Sequence, residues 1–206
     1  LVGCALLAAV GGISFDASNK TPNKAGSDGA DRLIGHDGPN ELRGNGGNDY
    51  VHGKGGNDAL FGNSGNDEIY GGDGNDQISG GPDDDSLAGN DGNDSIDGGP
   101  GNDQINGGPG NNTLAGGDGN NVIAGGAGND VASGGWGQTQ YRLGGGSNTI
   151  WGGNGPETFT SQGLDTFVGA GGNDAFIGTY DTASGSQFFG GDGDDFFDMR
   201  EVGGTV

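Results

Sequence analysis

Gly71-Gly72-Asp73-Gly74-Asn75-Asp76-Gln77-Ile78-Ser79 is one unit of a pattern that returns every nine residues. Cut from Gly26, the register runs without a gap through Thr160 and gives fifteen units. Position 1 is Gly in fourteen of them, broken only by Leu143, and position 4 is Gly in fourteen, broken only by Asp83. Position 8 is apolar in every unit, from Leu33, Leu42 and Val51 through Tyr141, Ile150 and Phe159. Position 6 is Asp in nine and Asn in four, with Thr139 and Glu157 as the exceptions. An internal repeat of this length is the signature of a stacked architecture and outranks any local propensity.

Each position has a physical meaning. Recurrent glycines in a short turn supply backbone conformations that other residues resist. Positions 7 to 9 alternate polar, apolar, polar, the period of a half-buried strand. A three-residue strand with one apolar side chain cannot stand alone, but stacked copies line those side chains into a thin continuous core, as in a solenoid. The expected fold is therefore all-β: a parallel β-roll of nine-residue units, two to each coil.

Composition sets a further condition. Leu, Ile, Val and Phe make up only 36 of 206 residues, and the formal charge is −22. Such a chain is normally too poor in apolar surface to fold alone, and compaction adds self-repulsion. Seven Lys and Arg in all argue against a nucleic-acid partner. The lone Cys4 cannot make an internal disulfide, and no apolar run reaches 18 residues, so no complete transmembrane helix is expected.

The aspartates show what completes the fold. With two units per coil, Asp49 and Asp67 share an edge, about 4.8 Å apart. At that spacing two carboxylates repel by about 3.5 kcal/mol at an effective dielectric of ~20. Seven consecutive units, Asp49 to Asp103, carry this residue, so the repulsion recurs along both edges. A hard divalent cation reverses its sign, and Ca²⁺ accepts six or more oxygens from carboxylates and carbonyls in irregular geometry.

At these residues the chain resembles the repeats-in-toxin (RTX, haemolysin-type) calcium-binding family, whose consensus is G-G-x-G-x-D-x-U-x. The match is uninterrupted over about two-thirds of the chain. The resemblance implies a right-handed roll with calcium in both rows of turns. It also implies that each ion is held by the Asp of one unit and of the unit two later. Carbonyls complete the shell, from positions 2 and 4 of the first unit and 1 and 3 of the second. Carried over, the pairs with Asp on both sides are Asp31/Asp49, Asp49/Asp67, Asp58/Asp76, Asp67/Asp85, Asp76/Asp94 and Asp85/Asp103. Weaker sites are expected at Asn40/Asp58, Asp94/Asn112, Asp103/Asn121, Asn112/Asp130 and Asp130/Asn148, because an amide oxygen carries no full charge. Asp174 and Asp195 hold the same place in later units and join the candidate ligands. Thr139, Asn148 and Glu157 depart from the pattern and weaken the case for calcium beyond Asp130.

The ends differ from the middle. The expected division is an apolar segment 1–15, a polar linker 16–25, the calcium-binding roll 26–160 and a degenerate Phe-rich part 161–206. In the last part, 161–168 reads as an eight-residue unit and 178–189 as twelve, and the inward position becomes Phe159, Phe167, Phe176, Phe188 and Phe197. Those aromatics read either as a C-terminal cap or as an end that meets another chain. Segment 1–15 fits three descriptions: a secretory signal remnant, an ordered cap or exchanged segment, or a lipoprotein start with lipidated Cys4. With no initiator Met, the chain reads as processed or incomplete.

No catalytic constellation emerges. There is no H-E-x-x-H or G-x-S-x-G, and only His36 and His52 are present, at variable positions that suit the surface. Trp136, Tyr141 and Trp151 read as filling or flanking a degenerate part of the roll rather than as a ligand-stacking patch. Two functions fit the whole. One is an extracellular structural or adhesive protein, secreted or at a cell surface, that binds calcium and associates with itself head-to-tail or with a cell surface. The other is a calcium-folded secretion and stabilising module of a larger secreted hydrolase or toxin. A native apolar start favours the first.

Overall fold

The computed structural model describes residues 14–15, 23–180 and 185–201. The three descriptions of the apolar start, Cys4 included, concern residues outside this set apart from Ser14–Phe15. Among the described residues there are 21 strands and no helix. Every strand pairs in parallel with the strand two further along the chain, which makes two sheets of 11 and 10 strands. The first sheet opens with Ser14–Phe15, Arg32–Ile34 and Tyr50–Gly55 and closes with Phe196–Glu201. The second opens with Asn23–Ala25 and Glu41–Gly46 and closes with Gln187–Asp192. The expected β-roll is therefore observed, with two units per coil.

The register follows from the repeat. Leu33 pairs with Val51, Val51 with Ile69 and Ile69 with Leu87; Leu42 pairs with Leu60 and Leu60 with Ile78. Position 8 of all fifteen units is buried between the sheets, with Phe167 and Phe176 beyond them. Each such aliphatic side chain contributes about 1.5–3 kcal/mol by leaving water. Positions 7 and 9 flank it and face outward, as in Gln77–Ser79.

Beyond Thr160 the strand pairing continues through the irregular units. Partners are Phe159 and Phe176, then Phe176 and Phe197, on the first sheet. On the second, Ile150 pairs with Phe167 and Phe167 with Phe188. The rings stack in columns, with centroids 4.9 Å apart for Tyr141–Phe159, 4.8 Å for Phe159–Phe176 and 4.7 Å for Phe176–Phe197. Phe188 is half-buried and Phe197 is 47% exposed, because no further described coil covers them.

One expectation is corrected at the other end. Residues 23–25, assigned to the polar linker, form the strand Asn23–Ala25, which pairs with Glu41–Arg43. Lys24 lies in register with Leu42, and its buried ammonium donates to the Ile34 carbonyl at 2.5 Å. A polar composition concealed a strand whose inward side chain is a lysine.

Candidate metal sites along the turns

The turn between strands is shaped by glycines with different tasks. Position 4 lies in the left-handed region in most units, as at Gly74 (φ 132°), and Asp83, the one non-glycine there, is held at φ 85°. Position 1 is constrained by space. A Cβ on Gly44 would come within 3.0 Å of both Asp49 Oδ2 and the Gly62 carbonyl oxygen. The same crowding recurs at Gly53, Gly62, Gly71, Gly80, Gly89 and Gly98, each facing its own unit's Asp and the position-1 carbonyl two units on.

The position-6 side chains stand in two columns, one along each row of turns. In the first, the backbone N–H of Asp31 donates to Asp49 Oδ1 at 2.7 Å, and Asp49, Asp67 and Asp85 repeat the contact to Asp67, Asp85 and Asp103 at 2.7, 2.8 and 2.9 Å. Asp103 reaches Asn121 in the same way at 2.9 Å. In the second column the chain of contacts is Asn40, Asp58, Asp76, Asp94, Asn112, Asp130 and Asn148, at 2.7 to 2.9 Å. Glu157, Asp174 and Asp195 continue the first column, at 3.0 and 3.1 Å. Asn148 is joined to Asp165 at 2.9 Å. All fourteen candidate residues thus lie in one or other column, and Asp165 and Glu157 join them.

The second oxygen of these carboxylates has no donor. Oδ2 of Asp49, Asp58, Asp67, Asp76, Asp85, Asp94, Asp103, Asp130 and Asp174 is buried without a hydrogen-bond partner, as are both oxygens of Glu157. Asp31 differs, its Oδ2 accepting from the Ser27 N–H and hydroxyl at 2.5 and 3.0 Å; Asp195 is half-buried. A buried acceptor without a donor costs about 1–3 kcal/mol, more when charged. Burial accordingly pushes the carboxyls of Asp49, Asp67, Asp76 and Asp103 up to about 6 and that of Asp85 up to about 7, against the donated N–H bond that lowers them. Burial, with Asp174 alongside, pushes Glu157 up to about 9.

Such an oxygen is relieved by a proton or by a cation. Carboxylate Oδ2 and the carbonyl across the turn form an all-oxygen donor set, which suits a hard ion such as Ca²⁺ rather than a thiophilic metal. Among the described residues no three His, Cys, Asp or Glu side chains converge as a metal cluster. The candidate sites are instead side chains completed by backbone carbonyls.

Several participants escaped the sequence reading. Asn at position 5, present in nine of fifteen units, builds a second ladder running the opposite way. Its Oδ1 accepts from the N–H two units later, as in Asn66 to Asn48, Asn93 to Asn75 and Asn111 to Asn93 at 3.1, 2.8 and 2.6 Å. The recurrence of Asn was the available signal. Of the aromatic trio, Tyr141 is in the core, whereas Trp136 and Trp151 are exposed. His52 is half-buried and stacks on Tyr70 at 5.9 Å, more enclosed than a surface histidine.

Among the described residues no helix is long and apolar enough to cross a membrane. No curated protein matches the chain. The family model for the RTX calcium-binding nonapeptide repeat matches residues 25–60, 52–87, 79–114, 106–140 and 142–156. That is more than half of the sequence, and it covers the columns from Asp31 to Asn148, while Glu157, Asp165, Asp174 and Asp195 continue them beyond the match. The chain therefore belongs to the RTX calcium-binding nonapeptide repeat family.

Proposed function

We propose that the two columns hold calcium ions, and that ion binding and folding are a single transition in an extracellular structural or adhesive protein. The observation that carries this is the row of buried Oδ2 atoms without donors, from Asp49 to Asp130, each facing a turn carbonyl. Bound calcium supplies the positive charge that these oxygens and the formal charge of −22 require. The side chains do the rest. Asp49, Asp58, Asp67, Asp76, Asp85, Asp94, Asp103, Asp130 and Asp174 direct Oδ2 into the turn while Oδ1 is held by the preceding coil. Glu157 stands in the same column with both side-chain oxygens buried and without a donor. Because little apolar core exists without the turns, binding free energy becomes folding free energy.

The extracellular part of the reading is supported by the all-oxygen character of the sites, since extracellular calcium modules of that kind fill at about 10⁻⁴–10⁻³ M calcium. Association end to end is supported by the exposed Phe189, Phe196 and Phe197 on the last two strands.

Circular dichroism in a chelator and then in millimolar Ca²⁺ tests the central claim. A largely disordered chain that gains β signal with calcium is expected, and a full β spectrum in chelator would refute it. Asp76→Ala should lose about two ions, since Asp76 adjoins two sites, whereas Thr139→Ala should leave calcium content nearly unchanged.

A further inference from the structure

Three asparagines in the position-6 columns do something the aspartates cannot. Asn112 Oδ1 accepts from the Asp94 N–H at 2.9 Å, and Asn121 Oδ1 from the Asp103 N–H at 2.9 Å. Only an oxygen can meet an N–H, so the other end of each amide, the NH₂, must face the turn. Asn112 Nδ2 there lies 3.2 Å from the Gly108 carbonyl, 3.5 Å from Gly110 and 3.3 Å from Gly125. These are positions 2 and 4 of its own unit and position 1 two units on. Asn121 Nδ2 reaches the Gly117 and Gly119 carbonyls at 3.1 and 3.5 Å. Asn40 Nδ2 donates to His36 O at 2.9 Å, to the Gly38 carbonyl and to Asp58 Oδ1 at 3.0 Å.

The same cradle in an aspartate unit contains an orphaned Oδ2, an acceptor among acceptors. The contrast is sharp because the two side chains are nearly the same size and sit in one column. At the unit where position 6 is Thr139, a different group does this work. The Tyr141 hydroxyl is 3.2 Å from both the Trp151 and Gly152 carbonyls, and Gly152 is the position-1 carbonyl two units on.

We infer that Asn40, Asn112 and Asn121, together with the Tyr141 hydroxyl, are built-in replacements for a cation, so that their turns close by hydrogen bonds and bind no ion of their own. This rests on the proposed calcium sites and goes further: an Asn unit is a turn that has been made independent of calcium, rather than a weaker calcium site. The replacements at 112, 121 and 141 are consecutive but for Asp130, so this stretch of roll closes with fewer ions than the run from Asp49 to Asp103. Asn148 is not such a group, since its Nδ2 is buried without an acceptor.

The test exchanges the two side chains in the full chain and counts calcium by equilibrium dialysis with atomic emission, alongside circular dichroism. Asn112→Asp is expected to bind about one ion more than the parent, and its folding is expected to need more calcium. Asp76→Asn is expected to bind about one ion fewer and to fold at a calcium concentration no higher than the parent's, unlike Asp76→Ala. An unchanged ion count in both exchanges overturns the inference, as does an Asp76→Asn chain that needs as much extra calcium as Asp76→Ala. Should Asn112→Asp fail to fold, the Asp76→Asn comparison decides alone. A parent chain that binds no calcium would instead overturn the proposed function itself.

Discussion

The nine-residue unit works because single residues in it cannot be exchanged freely. Gly62 shows this most directly: a Cβ there would come within 3.0 Å of Asp67 Oδ2 and the Gly80 carbonyl. Gly62→Ala is expected to destabilise the calcium-loaded roll by about 1–3 kcal/mol, as overpacking does, and to lower calcium content by about one ion. Chemical denaturation at saturating Ca²⁺ measures the first and dialysis the second. The aspartates predict a pH dependence of unusual sign. Their folded values of about 6 for Asp67 and Asp76 and about 7 for Asp85 exceed the ordinary carboxylate value. The ion-free folded state therefore binds more protons than the unfolded chain. That stabilisation is fully present below pH ~4 and is lost as the pH rises through about 6 to 7. In calcium-free buffer, structure by circular dichroism is expected to be greater at pH 4.5 than at 7.5. With calcium present the order reverses, because protons compete for the same oxygens. A midpoint near pH 4 for the calcium-free transition would mean that exposed carboxylates, not these buried ones, control it.

At the scale of strands, position 8 told almost everything: its one apolar residue per unit predicted both sheets, the pairing by 18 residues and the core. The position-6 columns were equally legible, since a nine-residue period with two units per coil dictates which aspartates neighbour one another. What stayed hidden was direction. A sequence does not show that Oδ1 is held by the preceding coil while Oδ2 points into the turn, or that an amide in the same place turns its NH₂ inward. Lys24 was missed for a related reason, because inward slots at the first coil need not be apolar when a carbonyl lies within reach. The aromatic column makes its own prediction. Phe176 is fully buried and stacked between Phe159 and Phe197. Phe176→Ala is expected to cost about 3–5 kcal/mol in urea unfolding at saturating calcium, while the ion count of the units before 160 stays the same.

For the molecule as a whole, the two ends of the stack decide its company. The last two strands expose Phe189, Phe196 and Phe197, whereas the second sheet opens on a strand with an inward lysine, Lys24. Unlike ends cannot meet isologously, so a contact between the first coil of one copy and the last coil of another would be head-to-tail and would grow unless it closed. Light scattering at increasing protein concentration is expected to show polymers with calcium and none in chelator, and replacing Phe196 and Phe197 by Ser should abolish them. A calcium-loaded chain that stays monomeric would exclude this.

Pairing by 18 residues has a last consequence, for heredity. Excising one nonapeptide such as 89–97 moves every later unit onto the opposite sheet, yet each still meets the unit two before it, apart from those at the junction. The DNA encoding such a roll can therefore gain or lose 27 bases (~9 codons of a solenoid unit) without destroying the product. Length polymorphism in whole units is the mutation this gene should tolerate best, and a shortened chain should differ mainly in carrying about one ion fewer.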